Sequence, residues 1–329
     1  MTVALVPRVD LSHFQSDDPA ERAAFVETLG RGLTEIGFVV VGGHGLESAL
    51  TSRAYELFAE FFALPEAEKA RYICRRSGNR GYSPFGRERA KDAKVPDLKE
   101  FWHVCRDASP NHPDADRFLE NIWPERPAEL KEIGRRLYRD FDRCARSLLQ
   151  AIALHFELPA RTFSDMAEHG NSVLRVIHYP PLGESVDAGA VRAAAHEDIN
   201  LITLLIESRG GGLEIQTRDG SWHPVNALAG DIIVDSGDML SRVTNGVIPA
   251  TTHRVVNPSD GENLSRYSMP FFVHPYPSCD LSVHEAFVSA ERPARFPPTT
   301  ADAFLTERLK EIGLLPHSGR LGRIKPEDL

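Results

Sequence analysis

The sequence predicts an α+β protein with an all-β core, a jelly roll backed by helices and preceded by a mixed α/β region. Three observations carry that expectation. From about residue 171, short runs rich in β-branched and aromatic residues recur at roughly ten-residue spacing, the signature of a β-sandwich or barrel. Glycine turns punctuate these runs at Gly210-Gly-Gly212, Asp219-Gly220 and Asp260-Gly261. Before them, Leu130, Ile133, Leu137, Phe141, Cys144, Leu148 and Ile152 recur at helical spacing between charged residues, which marks one long amphipathic helix. The first hundred residues mix helix-like and strand-like texture.

Taken in order, Phe25, Val26, Leu29, Leu33 and Ile36 share one helix face after an Asp-rich entry, and Gly37 ends that helix. Phe38-Val-Val-Val41 reads as a short buried strand, stopped by Gly42-Gly-His-Gly45. Leu50, Ala54, Leu57, Phe58 and Phe61 form a second amphipathic face, closed by Pro65. Residues 75–96, rich in Arg, Gly, Ser and Lys, read as a loop long enough to be functional. The long helix is expected over Pro127 to Phe156, with Pro127 at its first position. Strands are expected at Val173–Tyr179, Ile199–Ile206, Leu213–Gln216, Asp231–Val234, Thr251–Val256 and Arg266–Val273, and a last helix at Thr300–Ile312. The expected division is an N-terminal region at 1–125, then 126–329 with the scaffold helix, jelly-roll core and final helix.

Composition narrows the function. With 329 residues, 42% of them hydrophobic, the chain can bury a large core. Against 38 basic residues stand 47 acidic ones, a net charge of −9 that disfavours nucleic acid or anionic membrane as the main partner. No apolar run approaches the roughly 18 residues of a membrane span, and residues 1–8 lack the pattern of a secretory signal. Cys74, Cys105, Cys144 and Cys279 form no Cys-x-x-Cys pair and read as reduced thiols. A cytoplasmic enzyme acting on a small molecule is the expectation.

The informative motif is His196-Glu-Asp198. Side chains two apart on a strand share a face, so His196 and Asp198 can converge on one ion while Glu197 points away. His253, on a later β-run, adds a second imidazole. Two histidines and one carboxylate make the facial triad of non-haem Fe(II) oxygenases. Thirteen histidines make a chance His-x-Asp common, and the bland alternative is a pair of polar residues in a turn; the β-rich context on both sides weighs against it. Arg266 and Ser268 share a strand face thirteen residues beyond His253, where a guanidinium beside a hydroxyl forms a carboxylate clamp. The alternative for Arg266 is an ordinary surface ion pair. Tyr179, before Pro180-Pro181, can add a phenol. His44, His223 and His274 read as structural, and alternation turns His178 away from the clamp. Arg80, Tyr82 and Phe272 are candidate substrate contacts, each weighed against a plain loop arginine or core aromatic.

These residues resemble the isopenicillin N synthase-like group of Fe(II)/2-oxoglutarate-dependent oxygenases. The matching segments are Val176-Ile-His-Tyr-Pro-Pro181, His196-Glu-Asp-Ile-Asn-Leu-Ile-Thr203, Gly212-Leu-Glu-Ile215, Asn245-Gly246, His253-Arg-Val-Val-Asn257 and Arg266-Tyr-Ser-Met-Pro-Phe-Phe272. Val6-Pro-Arg-Val-Asp-Leu11 and Gly37-Phe-Val-Val-Val-Gly-Gly-His-Gly-Leu46 resemble that group's first domain. The resemblance implies a distorted double-stranded β-helix, with His196, Asp198 and His253 as iron ligands. It implies that Arg266 and Ser268, assisted by Tyr179, hold the distal carboxylate of 2-oxoglutarate. It also implies a reaction that consumes O₂ and 2-oxoglutarate, releases succinate and CO₂, and hydroxylates or desaturates an unactivated C–H bond. Ile177 stands where plant members often carry Asn, and Pro258-Ser-Asp-Gly261 looks like an extra turn before the clamp. The competing readings are an oxidase of the isopenicillin N synthase or ethylene-forming type, which uses no 2-oxoglutarate, and a non-catalytic metal-bearing jelly roll.

Overall fold

A computed structural model describes residues 5–74, 80–86, 99–107, 118–181, 192–206, 211–256 and 265–311. The strands are β1 (Arg8–Asp10), β2 (Phe38–Gly42), β3 (Gly81–Ser83), β4 (Glu100–Cys105), β5 (Val173–Tyr179), β6 (Ala193–His196), β7 (Ile202–Ile206), β8 (Leu213–Gln216), β9 (Trp222–Pro224), β10 (Ile232–Ser236), β11 (His253–Val255) and β12 (Arg266–Val273). Eight strands form a large sheet in the order β1-β2-β10-β7-β12-β5-β4-β3, and four form a small one, β6-β11-β8-β9. The predicted jelly roll backed by helices is the observed architecture. Residues before 126 supply the outermost two strands at each end of the large sheet.

The helices are α1 (Leu11–Phe14), α2 (Pro19–Glu35), α3 (Ser48–Phe62), α4 (Glu66–Lys69), α5 (Leu130–His155), α6 (Arg161–Ala167), α7 (Asp238–Val243) and α8 (Ala301–Glu311). The apolar stripe of α5 packs on the outer face of the large sheet: Phe141 stacks on Phe271 at 5.3 Å, and Tyr138 meets the same ring edge-on at 5.1 Å. Each such fully buried side chain contributes roughly 1.5–3 kcal/mol. Strand alternation sends Leu174, Val176, Met269 and Phe271 into this helix-backed core. The same alternation sends Arg175, Ile177, Tyr179, Arg266, Ser268 and Phe272 into the space between the sheets. Phe38, Val40, Ala193, Leu213, Ile215, Ile233 and Val255 form a second apolar cluster, of which Phe38, Ala193, Leu213, Ile233 and Val255 line that space.

Several boundaries differ from expectation for identifiable reasons. Pro127 precedes the long helix rather than opening it; its carbonyl accepts from Leu130, the first helical residue. Residues 199–201 leave the expected strand, and Asn200 bonds Thr203 instead of continuing the ladder. Asp231 also drops out of its strand, drawn to Arg8 by two bonds of 2.8 and 2.9 Å. Five described strands escape the sequence reading: the three-residue β1, β3 and β9, and the longer β4 and β6. The β4 strand is buried along its whole length, so it shows no polar alternation, and β6 is Ala-Ala-Ala-His, a composition poor in strand formers. Most of the loop expected at 75–96 lies outside the described residues; within it, Gly81–Ser83 form β3.

All four cysteines are buried and none is joined in a disulfide. Burial pushes the Cys105 and Cys279 thiols up to about 11 and Cys144 to about 12, so these are inert packing groups. Among the described residues, no helix is long and apolar enough to cross a membrane.

Candidate metal centre and its cavity

His196 ends β6, His253 begins β11, and the two are register partners with ring centroids 4.4 Å apart. Asp198 Oδ1 lies 3.6 Å from His196 Nε2 and 3.9 Å from His253 Nε2. One donor atom from each residue falls within 4.8 Å of the others, a spacing suited to a single metal ion. The histidines are oriented for that task. His196 Nδ1 donates to the Ala194 carbonyl at 2.7 Å and His253 Nδ1 to the Thr251 carbonyl at 3.1 Å. Those bonds put the proton on Nδ1 and leave the Nε2 lone pair for a metal. Burial, then the neighbouring His253, push His196 down to about 4, so its imidazole is neutral near pH 7. The 40% of its side chain that remains accessible belongs to a residue of the cavity wall.

The convergence of His196 and Asp198 is correct, but alternation along a strand is not its cause. The β6 strand stops at His196, and Asp198 sits in the turn beyond it. Side-chain bonds aim this carboxylate: Thr203 Oγ1 donates to Asp198 Oδ2, and Asn200 Nδ2 donates to Thr203 Oγ1 at 2.8 Å. Glu197 is exposed and accepts from Thr252 Oγ1 at 2.8 Å, outside the metal cluster. Beside Asp198 lies Asp235, a carboxyl that sequence reasoning missed. Burial, then the charge of Asp198, raise its pKa well above the ordinary value.

Arg266, Ser268 and Tyr179 line the same cavity as the triad. Arg266 and Tyr179 are register partners, and the guanidinium lies 5.1 Å from the phenol ring centroid. Arg266 Nε donates to the Gly211 carbonyl at 3.1 Å, while its Nη1 is buried with no protein partner among the described residues. A buried cationic N–H without an acceptor is costly, and a ligand carboxylate would satisfy it. Ile177, opposite Ser268, gives this stretch of wall an apolar face. Arg192, buried just ahead of β6, is a second guanidinium near the clamp; burial, then Arg266, lower its pKa.

Of the three proposed substrate contacts, only Phe272 lines the cavity. Tyr82 pairs with Trp102 across β3–β4 and faces the helices, its ring 5.8 Å from Phe61. Its hydroxyl donates to Glu100 Oε2 at 2.6 Å, within a buried cluster that also holds Lys69 Nζ at 2.7 Å and His178 Nδ1 at 2.7 Å from the Glu100 carboxylate. Strand parity, which correctly turns His178 away from the clamp, excludes Tyr82 in the same way. Arg80 is also buried, with Nε donating to the Leu119 carbonyl at 3.2 Å, and it is not part of the cavity wall. The sequence reading instead missed Arg175 and Lys99, which do line it. Arg175 shares parity with Tyr179 on a recognised strand, and that was the available signal.

Comparison with known proteins agrees with this geometry. Residues 6–126 match the family model of the non-haem dioxygenase N-terminal region described from morphine synthesis, and residues 170–275 match that of the 2OG-Fe(II) oxygenase superfamily. A 2-oxoglutarate-Fe(II) type oxidoreductase of Metarhizium majus is 31% identical, covering 94% of this chain and 97% of its own. A proline hydroxylase of Petromyces alliaceus is 31% identical, covering 88% and 94% respectively. A solved structure from Caulobacter crescentus, described as a 2OG-Fe(II) oxygenase family protein, superposes with a TM-score of 0.85 at 40% identity, covering 94% of this chain and all of its own. With a His-Asp-His cluster and an unsatisfied arginine in one cavity, this chain belongs to the isopenicillin N synthase-like family of Fe(II)/2-oxoglutarate-dependent oxygenases.

Proposed function

We propose that His196, Asp198 and His253 hold the Fe(II) of this dioxygenase, and that Arg266, Ser268 and Tyr179 hold the distal carboxylate of 2-oxoglutarate while a C–H bond of a small organic molecule is hydroxylated. The observation that carries this reading is the unpartnered Arg266 Nη1 in the same cavity as the three donor atoms. The proline hydroxylase among the relatives supports hydroxylation as the outcome. Bound iron with 2-oxoglutarate supplies O₂ activation, with succinate and CO₂ as co-products.

The chain's own residues then hold geometry and exclude water. The Nδ1–carbonyl bonds keep both imidazoles in the donor tautomer, and Thr203 keeps Asp198 turned inward. The guanidinium of Arg266 and the hydroxyl of Ser268 offer a directional carboxylate clamp in a buried setting. Phe38, Leu205, Ile233 and Val255 give the cavity dry walls. Residues 126–329 carry every proposed ligand, consistent with a catalytic core there and a supporting region at 1–125.

Oxygen consumption tests the assignment. With a substrate in hand, the parent should form succinate in proportion to O₂ consumed. His196→Ala, Asp198→Ala and His253→Ala should each lose Fe(II) binding and turnover while keeping a native circular dichroism spectrum. A folded His253→Ala protein with parental activity would refute the ligand set.

A further inference from the structure

We propose that Asp235 is an outer carboxyl of the metal centre, which strengthens divalent-metal binding by its charge and its unpartnered oxygen without ligating the ion. This inference rests on the reading of His196, Asp198 and His253 as the ligands. Asp235 is only 4% exposed and lines the cavity, and its Oδ2 is buried with no hydrogen-bond partner among the described residues. Register sets its place. On β10, Asp235 pairs with Thr203 on one side and with Phe38 on the other. Thr203 Oγ1 donates to Asp198 Oδ2, and Phe38 meets the His253 ring edge-on at 5.6 Å. Asp235 therefore stands between the supports of two proposed ligands. It is still outside the cluster of donor atoms that lie within 4.8 Å of one another, so its place is beside the ion rather than on it.

The nearest hydroxyl cannot satisfy Oδ2. Thr203 has a single hydroxyl hydrogen, which Asp198 takes, and Thr203 Oγ1 in turn accepts from Asn200 Nδ2 at 2.8 Å. The cosubstrate cannot satisfy it either, since 2-oxoglutarate is a dianion near neutral pH and brings acceptors only. A buried acceptor left without a donor is costly, and water polarised by a divalent ion is a strong donor. Charge points the same way. A divalent ion on two neutral imidazoles and one carboxylate keeps a net positive charge. A second carboxyl in the same cavity offsets that charge, and apolar walls at Phe38, Leu205 and Ile233 make the attraction stronger than it would be in water.

Metal titrations test this. Parent, Asp235→Asn, Asp235→Leu and His253→Ala proteins are titrated anaerobically with Fe(II) against a coloured chelator. The first three are then saturated with Fe(II) and titrated with 2-oxoglutarate. Asp235→Asn keeps the shape and an acceptor but removes the charge, whereas Asp235→Leu removes both. Fe(II) affinity should fall about tenfold in Asp235→Asn and up to about 100-fold in Asp235→Leu. Affinity for 2-oxoglutarate should equal or exceed the parent's, because a negative charge has left the cavity that a dianion enters. A cavity merely damaged by the substitution would bind both more weakly, so the opposite signs separate the two roles. Parental Fe(II) affinity in Asp235→Asn overturns the proposal, as does a loss of 2-oxoglutarate affinity parallel to the loss of metal. Asp235→Asn decides the matter even if Asp235→Leu does not fold. A parent that binds no Fe(II), or a His253→Ala protein that binds it as the parent does, refutes the ligand set and this proposal with it. With that set upheld, parental binding in Asp235→Asn refutes the role of Asp235 alone.

Discussion

His196 and His253 face each other across the β6–β11 pair, so the spacing of the two proposed metal donors is set by the backbone ladder itself. Asp198 is held differently, in a turn, by the Asn200–Thr203–Asp198 chain of side-chain bonds. The imidazoles are therefore insensitive to any single neighbouring side chain, whereas the carboxylate depends on one hydroxyl.

Thr203→Val removes that hydroxyl at nearly constant volume. Fe(II) affinity should fall about 10–100-fold, the usual cost of losing a group that orients a metal ligand. Competition with a coloured chelator measures it; parental affinity would show that Asp198 orients itself.

Glu197→Gln should leave Fe(II) affinity within a few-fold of the parent, because this side chain turns outward to Thr252. A loss as deep as that of Asp198→Ala, in the same chelator assay, would place Glu197 at the metal.

The Glu100 cluster should govern acid stability. Burial alone would raise this carboxyl's pKa, but hydrogen bonds from His178, Lys69 and Tyr82 outweigh it and hold the value below the ordinary 4.5. Its contribution is therefore complete above pH 4.5 and is lost as pH falls through the lower folded value, where the unfolded chain already binds the proton. Glu100→Gln, which leaves Lys69 without its buried partner, should cost about 3–5 kcal/mol near neutral pH. Urea midpoints for the two proteins should converge as pH drops below 4.5; a constant gap would contradict the account.

Tyr82→Phe separates a structural tyrosine from a substrate contact. Losing its bond to the Glu100 carboxylate should cost about 1.5–3 kcal/mol of stability, with KM for 2-oxoglutarate and substrate unchanged. Phe272→Ala should do the reverse, raising substrate KM with a smaller stability loss. A raised KM in Tyr82→Phe would restore it to the site.

The parts of this fold that were legible are those where the sequence itself alternates in polarity or repeats at helical period. Arg266–Val273 was read to its boundaries because the polar Arg266 and Ser268 alternate with apolar Met269, Phe271 and Val273, although both faces of the strand are buried. Helix α5 was legible for the same reason at helical period. Strand β4, covered on both faces, carries no such contrast, and the Ala-rich β6 has no strand propensity to display. The proposed triad was legible as chemistry before it was legible as geometry: His-x-Asp offers the candidate donors, yet Asp198 converges through a turn that Thr203 and Asn200 brace. Arg175 was missed because a cation on a β-strand reads as a solvated position until a second sheet covers it.

Anaerobic titration of the Fe(II) protein with 2-oxoglutarate, following the visible absorption band of the chelated keto acid, tests the central assignment most directly. Removing one partner of a buried, charge-assisted pair costs about 2–5 kcal/mol. At 1.4 kcal/mol per tenfold, Arg266→Ala should therefore bind 2-oxoglutarate roughly 30- to several-thousand-fold more weakly than the parent, with Fe(II) affinity within a few-fold. Development of the band at parental 2-oxoglutarate concentrations in Arg266→Ala would contradict the clamp.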